Sequence, residues 1–159
     1  MLSCVSGEDM NTQIVCRVSA RWDSGRNGVV TVPGIEPTIR FSSPPEFRGQ
    51  AGLWTPEDFL LAAVASCFVV TFYALAERSK VDFGNLDLSV EGKLGMLEGR
   101  LAFLQIVLRP TVTVLQGQDR DRGYGLLERT EHGCLIARTL NCPVLMEPLV
   151  QTVEEVLAS

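Results

Sequence analysis

Five cysteines, one histidine and a few placed charges are the candidates for chemistry in this 159-residue chain. Cys67 stands in the middle of an uncharged run, "FLLAAVASCFVVTFYALA", at 59–76. Free cysteine is among the most buried residue types, so a structural core role is the first reading of Cys67. An apolar setting raises a thiol pKa, so a reactive Cys67 requires a cation aimed at it from elsewhere. Cys134 follows Gly133 at the start of a predicted helix. Free N–H groups and the positive dipole end favour a thiolate there, and a small residue opening a helix is the plainer reading of equal weight. Two such cysteines can form a redox pair. One attacks a peroxide oxygen and becomes a sulfenic acid, and the other condenses with it to a disulfide. Contact would require Cα atoms within roughly 7 Å.

Arg26 lies in a polar turn and by default is a solvated charge. Glu57 lies at a helix start and by default complements the dipole. Together they can act on a thiol, because an arginine stabilises a thiolate and hydrogen-bonds a peroxide oxygen, while a carboxylate orients the arginine. His132 is two residues from Cys134, a poor fixed distance for acid–base work, and reads as a surface residue. Cys4, Cys16 and Cys142 complete the thiols. No CxxC occurs, and the Cys/His spacings match no standard zinc finger or ribbon.

The elements that must position these residues follow from periodicity. Residues 12–22 alternate at Ile14, Cys16, Val18 and Ala20, which predicts a strand. "DSGRNG" at 23–28 is turn chemistry with an Asn-Gly pair, and "VVTV" at 29–32 is the returning strand. "TIRFS" at 38–42 is a third. The stretch 43–56, rich in Pro and Gly, predicts a long loop. A helix is expected from Pro56 to Lys80, with Thr55 as N-cap and Glu57 and Asp58 in its first turn. Strands follow at 86–94 and 101–115 around a hairpin turn near Gly95–Gly99. Pro110 argues for an edge or a bulge in the second of them. A short, irregular helix is predicted over 119–133, interrupted by Gly123 and Gly125. A new helical turn begins at Cys134, a last strand covers 143–150, and the tail extends that strand or forms a short helix. Grouped strands with few helices make an α+β fold with mainly antiparallel sheet.

Length and composition suit one domain, 1–159, with 1–11 as a poorly ordered extension. A net charge of −5 and the lack of a Lys/Arg cluster argue against nucleic acid as a partner. The first residues lack the basic start and apolar run of a signal peptide, which places the expected location in the cytoplasm. The run 59–76 reaches the lower length limit of a membrane span. Charges crowd both its ends, and a central helix buried on most sides is the preferred reading, with no membrane partner expected.

These pieces in order resemble the OsmC/Ohr family of osmotically inducible and organic hydroperoxide resistance proteins, over roughly 12–150. "DSGRNGVV" is similar to the family's Gly-Arg-x-Gly hairpin and places Arg26 on its arginine. "TPEDFLLAAVASCF" is similar to its Pro-Glu…Ala-Ala…Cys-Phe helix and places Glu57 and Cys67. "HGCLIARTLNCPV" is similar to its second-cysteine helix and places Cys134. Cys142, before Pro143, is the rival for that place, set aside because the residues after it read as strand. Cys134 is followed by Leu-Ile-Ala-Arg where the peroxidase branches carry Pro-x-Ser-Asn, which puts the chain nearer the OsmC-like branch.

The resemblance implies an OsmC-like fold with a long buried central helix in an intertwined homodimer. It implies reduction of organic hydroperoxides, and to varying degrees hydrogen peroxide, by two cysteines. Cys67 is then the peroxidatic thiolate and Cys134 the resolving thiol. Arg26 stabilises the thiolate and Glu57 holds Arg26. Glu57 and Cys67 are ten positions apart, about 15 Å along one helix, so either Arg26 spans between them or Arg26 and Glu57 serve the cysteine of the other chain, the second being the preferred expectation. The expected reductant is a thiol or lipoyl-type dithiol, with no metal or cofactor. Leu53, Trp54, Phe68 and Phe72 are the candidate apolar lining for a fatty or aromatic hydroperoxide, with plain core packing as the competing reading. The alternative function is a non-catalytic protein of the same fold that binds an apolar ligand or senses redox state.

Overall fold

A computed structural model describes residues 13–158. The extension expected at 1–11, with Cys4, lies outside the described residues. The chain divides into two compact units, Met1–Pro56 and Glu57–Ser159.

The N-terminal unit is an antiparallel meander of β1 (Ser19–Ser24), β2 (Asn27–Val32) and β3 (Ile35–Ser42). The first strand begins at Ser19, not at residue 12, and 13–18 carry no regular structure. The reason is register. A two-residue turn sets Ser24 opposite Asn27 and Ser19 opposite Thr31, so β2 offers almost no ladder beyond Ser19. The turn itself is Gly25-Arg26, not the Asn-Gly pair, which opens β2 instead. Gly25 has φ +53°, the left-handed conformation that only glycine adopts at little cost. The loop 43–56 folds back on β3: Gln50 N–H donates to Ser42 Oγ at 2.8 Å and Ser42 N–H to Trp54 O at 2.9 Å.

The second unit opens with α1 (Pro56–Ser79), within one residue of expectation. A long hairpin follows, β4 (Phe83–Leu97), longer at both ends than the expected 86–94, and β5 (Arg100–Val114), within one residue of the expected 101–115. Next come α2 (Arg120–Gly133), α3 (Leu135–Arg138), β6 (Val144–Met146), β7 (Leu149–Thr152) and α4 (Val153–Leu157). The expected last strand is two strands, because Glu147-Pro148 interrupts the ladder, and both run parallel to β5. Pro110 sits in the gap between them: Leu108 pairs with Met146 and Thr111 with Leu149. Its missing N–H therefore falls where β5 has no neighbour on that side, which is the local edge the proline required.

The helix α2 is fourteen continuous residues, not short and irregular. A Cβ at Gly123 would meet Val150 Cγ1 at 2.9 Å, so this glycine permits close packing on β7 instead of breaking the helix. The core takes Val64, Phe68, Phe72 and Ala76 from α1, Ile106, Leu108, Val112 and Val114 from β5, Leu126 and Leu127 from α2, and Val150 from β7. Those β5 residues are the inward set of a period-two strand, and those of α1 recur every four positions, one stripe of a helix. The expectation that α1 is buried on most sides is not met within this chain. One sheet covers one stripe, leaving Val70 and Tyr73 65% and 60% exposed. By length and composition α1 is able to cross a membrane, with a mean hydropathy of 2.3 over 18 residues.

The C-terminus of α1 is closed by a left-handed residue, Lys80, at φ 51°. Val81 N–H returns to Ala76 O at 3.1 Å. Arg122 of α2 then donates to Ser79 O and Lys80 O, both at 3.2 Å, and pairs with Asp119 at 3.0 Å. This cap ties α2, and with it the Cys134 segment, to α1.

Candidate active site

Two of the expected residues are brought together. Cys67 sits at mid-length in α1 and is partly buried; Cys134 is fully buried at the N-cap of α3. The two thiols stand close enough that each shifts the other's ionisation. The approach depends on Gly133, the last residue of α2. A Cβ there would stand 3.2 Å from Thr71 Cγ2 on α1, so the bare backbone lets the end of α2 lie against the helix that carries Cys67.

Burial pushes the Cys67 thiol up, but four donors together outweigh it and hold the thiol below its ordinary value. They are the Ile136 N–H, the Cys134 side chain, the Thr71 side chain and the Leu135 N–H. None of these is a cation, so within the second unit Cys67 is held toward the thiolate by dipoles. Cys134 moves the other way. Burial raises it, and the hydrogen bond to Cys67 with the negative charge forming there raises it further, against the Ala137 and Ile136 N–H groups. The expectation of a thiolate-favouring helix start at Cys134 is thus reversed, because full burial outweighs the free N–H groups. The pair consists of an anion-prone sulfur and a protonated donor.

The remaining expected residues are placed as follows. Glu57 is in the first turn of α1, with Oε2 buried and without a hydrogen-bond partner among the described residues. Arg26 is the second residue of the β1–β2 turn in the N-terminal unit, where its carbonyl accepts from Ser42 Oγ at 3.4 Å. Leu53 and Trp54 are in that unit too, Leu53 partly buried and Trp54 about half exposed and bridged to Phe41. Phe68 and Phe72 are fully buried, and Phe72 stacks edge-to-face on Phe83 at 5.0 Å. They are core residues, so their expected place in a substrate lining is corrected: the inward stripe of α1 points at β5. His132 is exposed, with Nδ1 2.7 Å from Glu128 O. Cys142 is partly buried beside an apolar cavity of about 490 Å³, which Leu60, Phe103, Leu104 and Leu140 also line.

Sequence reasoning missed Thr71 and the N–H groups of Leu135 and Ile136. Thr71 was readable in principle, since a residue four positions after Cys67 lies next to it on a helix. The backbone donors were not, because they depend on how α3 meets α1.

With this geometry in place, comparison with known proteins settles the family. The family model described as OsmC-like protein matches residues 49–148. The chain belongs to the OsmC-like family. Among curated relatives of this OsmC-like protein, the uncharacterized protein YmaD of Bacillus subtilis is 28% identical over 126 residues, covering 77% of this chain and 84% of YmaD. Among solved structures, an OsmC-like protein of unknown function from Vibrio cholerae superposes with a TM-score of 0.78 at 18% identity, covering 86% of this chain and all of that one. An organic hydroperoxide resistance protein OsmC from Legionella pneumophila superposes at 0.72 and 20% identity, covering 89% and 99%. Both likenesses establish the OsmC fold for the chain, an α+β architecture with a long helix.

Proposed function

We propose that this OsmC-like protein is a thiol-dependent peroxidase that reduces organic hydroperoxides. The observation that carries the reading is the juxtaposed Cys67–Cys134 pair, with one sulfur held toward the anion and the other toward the protonated thiol. In the first step the Cys67 thiolate attacks the distal oxygen of ROOH. The O–O bond breaks, Cys67 becomes a sulfenic acid, and the RO⁻ released takes a proton to become ROH. In the second step the Cys134 thiol attacks the sulfenic sulfur, giving a Cys67–Cys134 disulfide and water. A dithiol such as a lipoyl group then returns both cysteines to the reduced state and leaves as its own disulfide. Relatives of the same fold named for organic hydroperoxide resistance support the substrate class.

Arg26 and Glu57 belong to this proposal as the pair that assists the thiolate. The buried, unpartnered Glu57 Oε2 supports a guanidinium partner for it. The uncovered apolar face of α1 supports a homodimer, in which Arg26 and Glu57 of one chain serve Cys67 of the other. A second reading, binding of an apolar ligand without turnover, draws on the cavity beside Cys142.

One assay separates the readings. Purified protein with cumene hydroperoxide and dihydrolipoamide is expected to consume peroxide, and Cys67→Ser to abolish consumption. A wild-type rate equal to that of Cys67→Ser would sink the enzyme reading. Mass spectrometry after one equivalent of peroxide is expected to find the Cys67–Cys134 disulfide.

A further inference from the structure

We infer that the cavity beside Cys142 is a binding site for a neutral, medium-chain amphiphile, a single hydrocarbon chain ending in a hydroxyl. This rests on the reading of that cavity as an apolar-ligand site and names the ligand class; it does not depend on turnover at Cys67. The cavity lies wholly within the second unit, beside one edge of β5. β6 covers that edge only from Ile106 to Leu108. Ile106 N–H donates to Pro143 O at 2.9 Å, and Glu147 N–H donates to Leu108 O at 2.8 Å. Continued back along β6, the parallel ladder would next need an N–H from Pro143, which a proline lacks. The edge of β5 at Ala102, Phe103 and Leu104 is therefore left without a neighbour from β6, and all three residues line the cavity.

The side chains nearest the void lean away from it. The β4–β5 register steps from Lys93–Gln105 to Leu94–Phe103, so Leu104 is an extra residue, a bulge of the kind that re-aims side chains beside sites. A Cβ on Gly92 would collide with the Phe103 ring, and one on Gly95 would stand 2.6 Å from Leu104 Cδ1. Both side chains thus lie over β4, on the far side of β5 from its open edge, where bare glycines leave them room. The void holds about 490 Å³, within the range of small-molecule sites. At about 30 Å³ per non-hydrogen atom, the share of a water in the liquid, a ten-carbon alcohol fills about two thirds of it. Leu60, Phe103, Leu104 and Leu140 make its wall apolar, Asn141 and Cys142 bring the polar side chains, and no lining residue is charged. A hydroxyl both donates to and accepts from an amide such as that of Asn141. A carboxylate would enter with no cation to offset its lost hydration.

The test titrates the full chain with 1-decanol, 1-hexanol and decanoate by calorimetry, at neutral pH where the acid is ionised. One decanol per chain is expected. Hexanol, four methylenes shorter, is expected to bind about two-hundredfold more weakly, at about fourfold per methylene. Decanoate is expected to bind at least about tenfold more weakly than decanol. Decanol is also expected to slow iodoacetamide alkylation of Cys142, read on its peptide by mass spectrometry. Gly95→Ala pushes Leu104 off β4 toward the cavity. It is expected to weaken decanol by about tenfold, the worth of one or two methylenes, and to leave affinity unchanged in a Leu104→Ala background, where there is no side chain to push. Decanoate binding as tightly as decanol overturns the inference and leaves ligand binding standing. Saturable binding of neither overturns both. Alkylation of Cys142 that slows with rising protein concentration and not with decanol assigns the cavity to a second copy of the chain, which also overturns the inference. Should Gly95→Ala fail to fold, the wild-type comparison of decanol with decanoate decides.

Discussion

Replacing Phe72 with leucine separates a core role from a substrate-lining role. Phe72 is fully buried and makes an edge-to-face contact with Phe83 at 5.0 Å. Leucine recovers most of the transfer free energy, since either side chain gains about 1.5–3 kcal/mol on burial. Two losses remain. The aromatic pair contributes about 0.5–1.5 kcal/mol beyond its area. The smaller side chain leaves a void costing on the order of 0.5 kcal/mol, to judge from cavity volume dependence. The sum is about 1–2 kcal/mol of destabilisation. For a domain of this size each kcal/mol lowers Tm by roughly 2–4 °C, so a fall of about 2–8 °C is expected by scanning calorimetry at fixed protein concentration. Activity toward small and bulky hydroperoxides should keep the same ratio. An unchanged Tm together with an altered preference for bulky hydroperoxides would refute the reasoning, because it would put the ring at a substrate and not in the core.

Three further outcomes are expected. As pH rises, alkylation should label Cys67 first and Cys134 only above the ordinary thiol range. Burial raises Cys134 first and the charge on Cys67 adds to that, so Cys67→Ser should bring the Cys134 midpoint down; simultaneous labelling in the folded protein counts against the pair. Arg122→Ala removes the donor to Ser79 O and Lys80 O and should cost about 1 kcal/mol in urea unfolding, because the guanidinium is half exposed and its ion pair with Asp119 contributes little. If the exposed face of α1 joins two chains, Val70→Glu should halve the light-scattering mass from about twice 17.4 kDa; a wild-type mass already at one chain speaks against the homodimer.

Much of this protein was legible from local pattern. The uncharged run behind Thr55-Pro56 placed α1 to within a residue, because capping chemistry and helix propensity are short-range properties. The expected alternation at Leu104, Ile106, Leu108, Val112 and Val114 identified the inward face of β5 for the same reason, except at Leu104, which is exposed where the β4–β5 register shifts. The identities of Cys67 and Cys134 as the pair to watch came from motif order along the chain. Three things were decided only when the chain closed on itself. The fate of Phe68 and Phe72 depended on which stripe of an almost wholly apolar helix the sheet would cover, and a helix apolar all round carries no periodic signal to say so. The start of β1 depended on the length of the strand it pairs with. The direction of each thiol's pKa depended on which sulfur the N–H groups of α3 would face and which would be sealed from water. Those are distances between groups some seventy residues apart in sequence, set by the packing of Gly133 on Thr71.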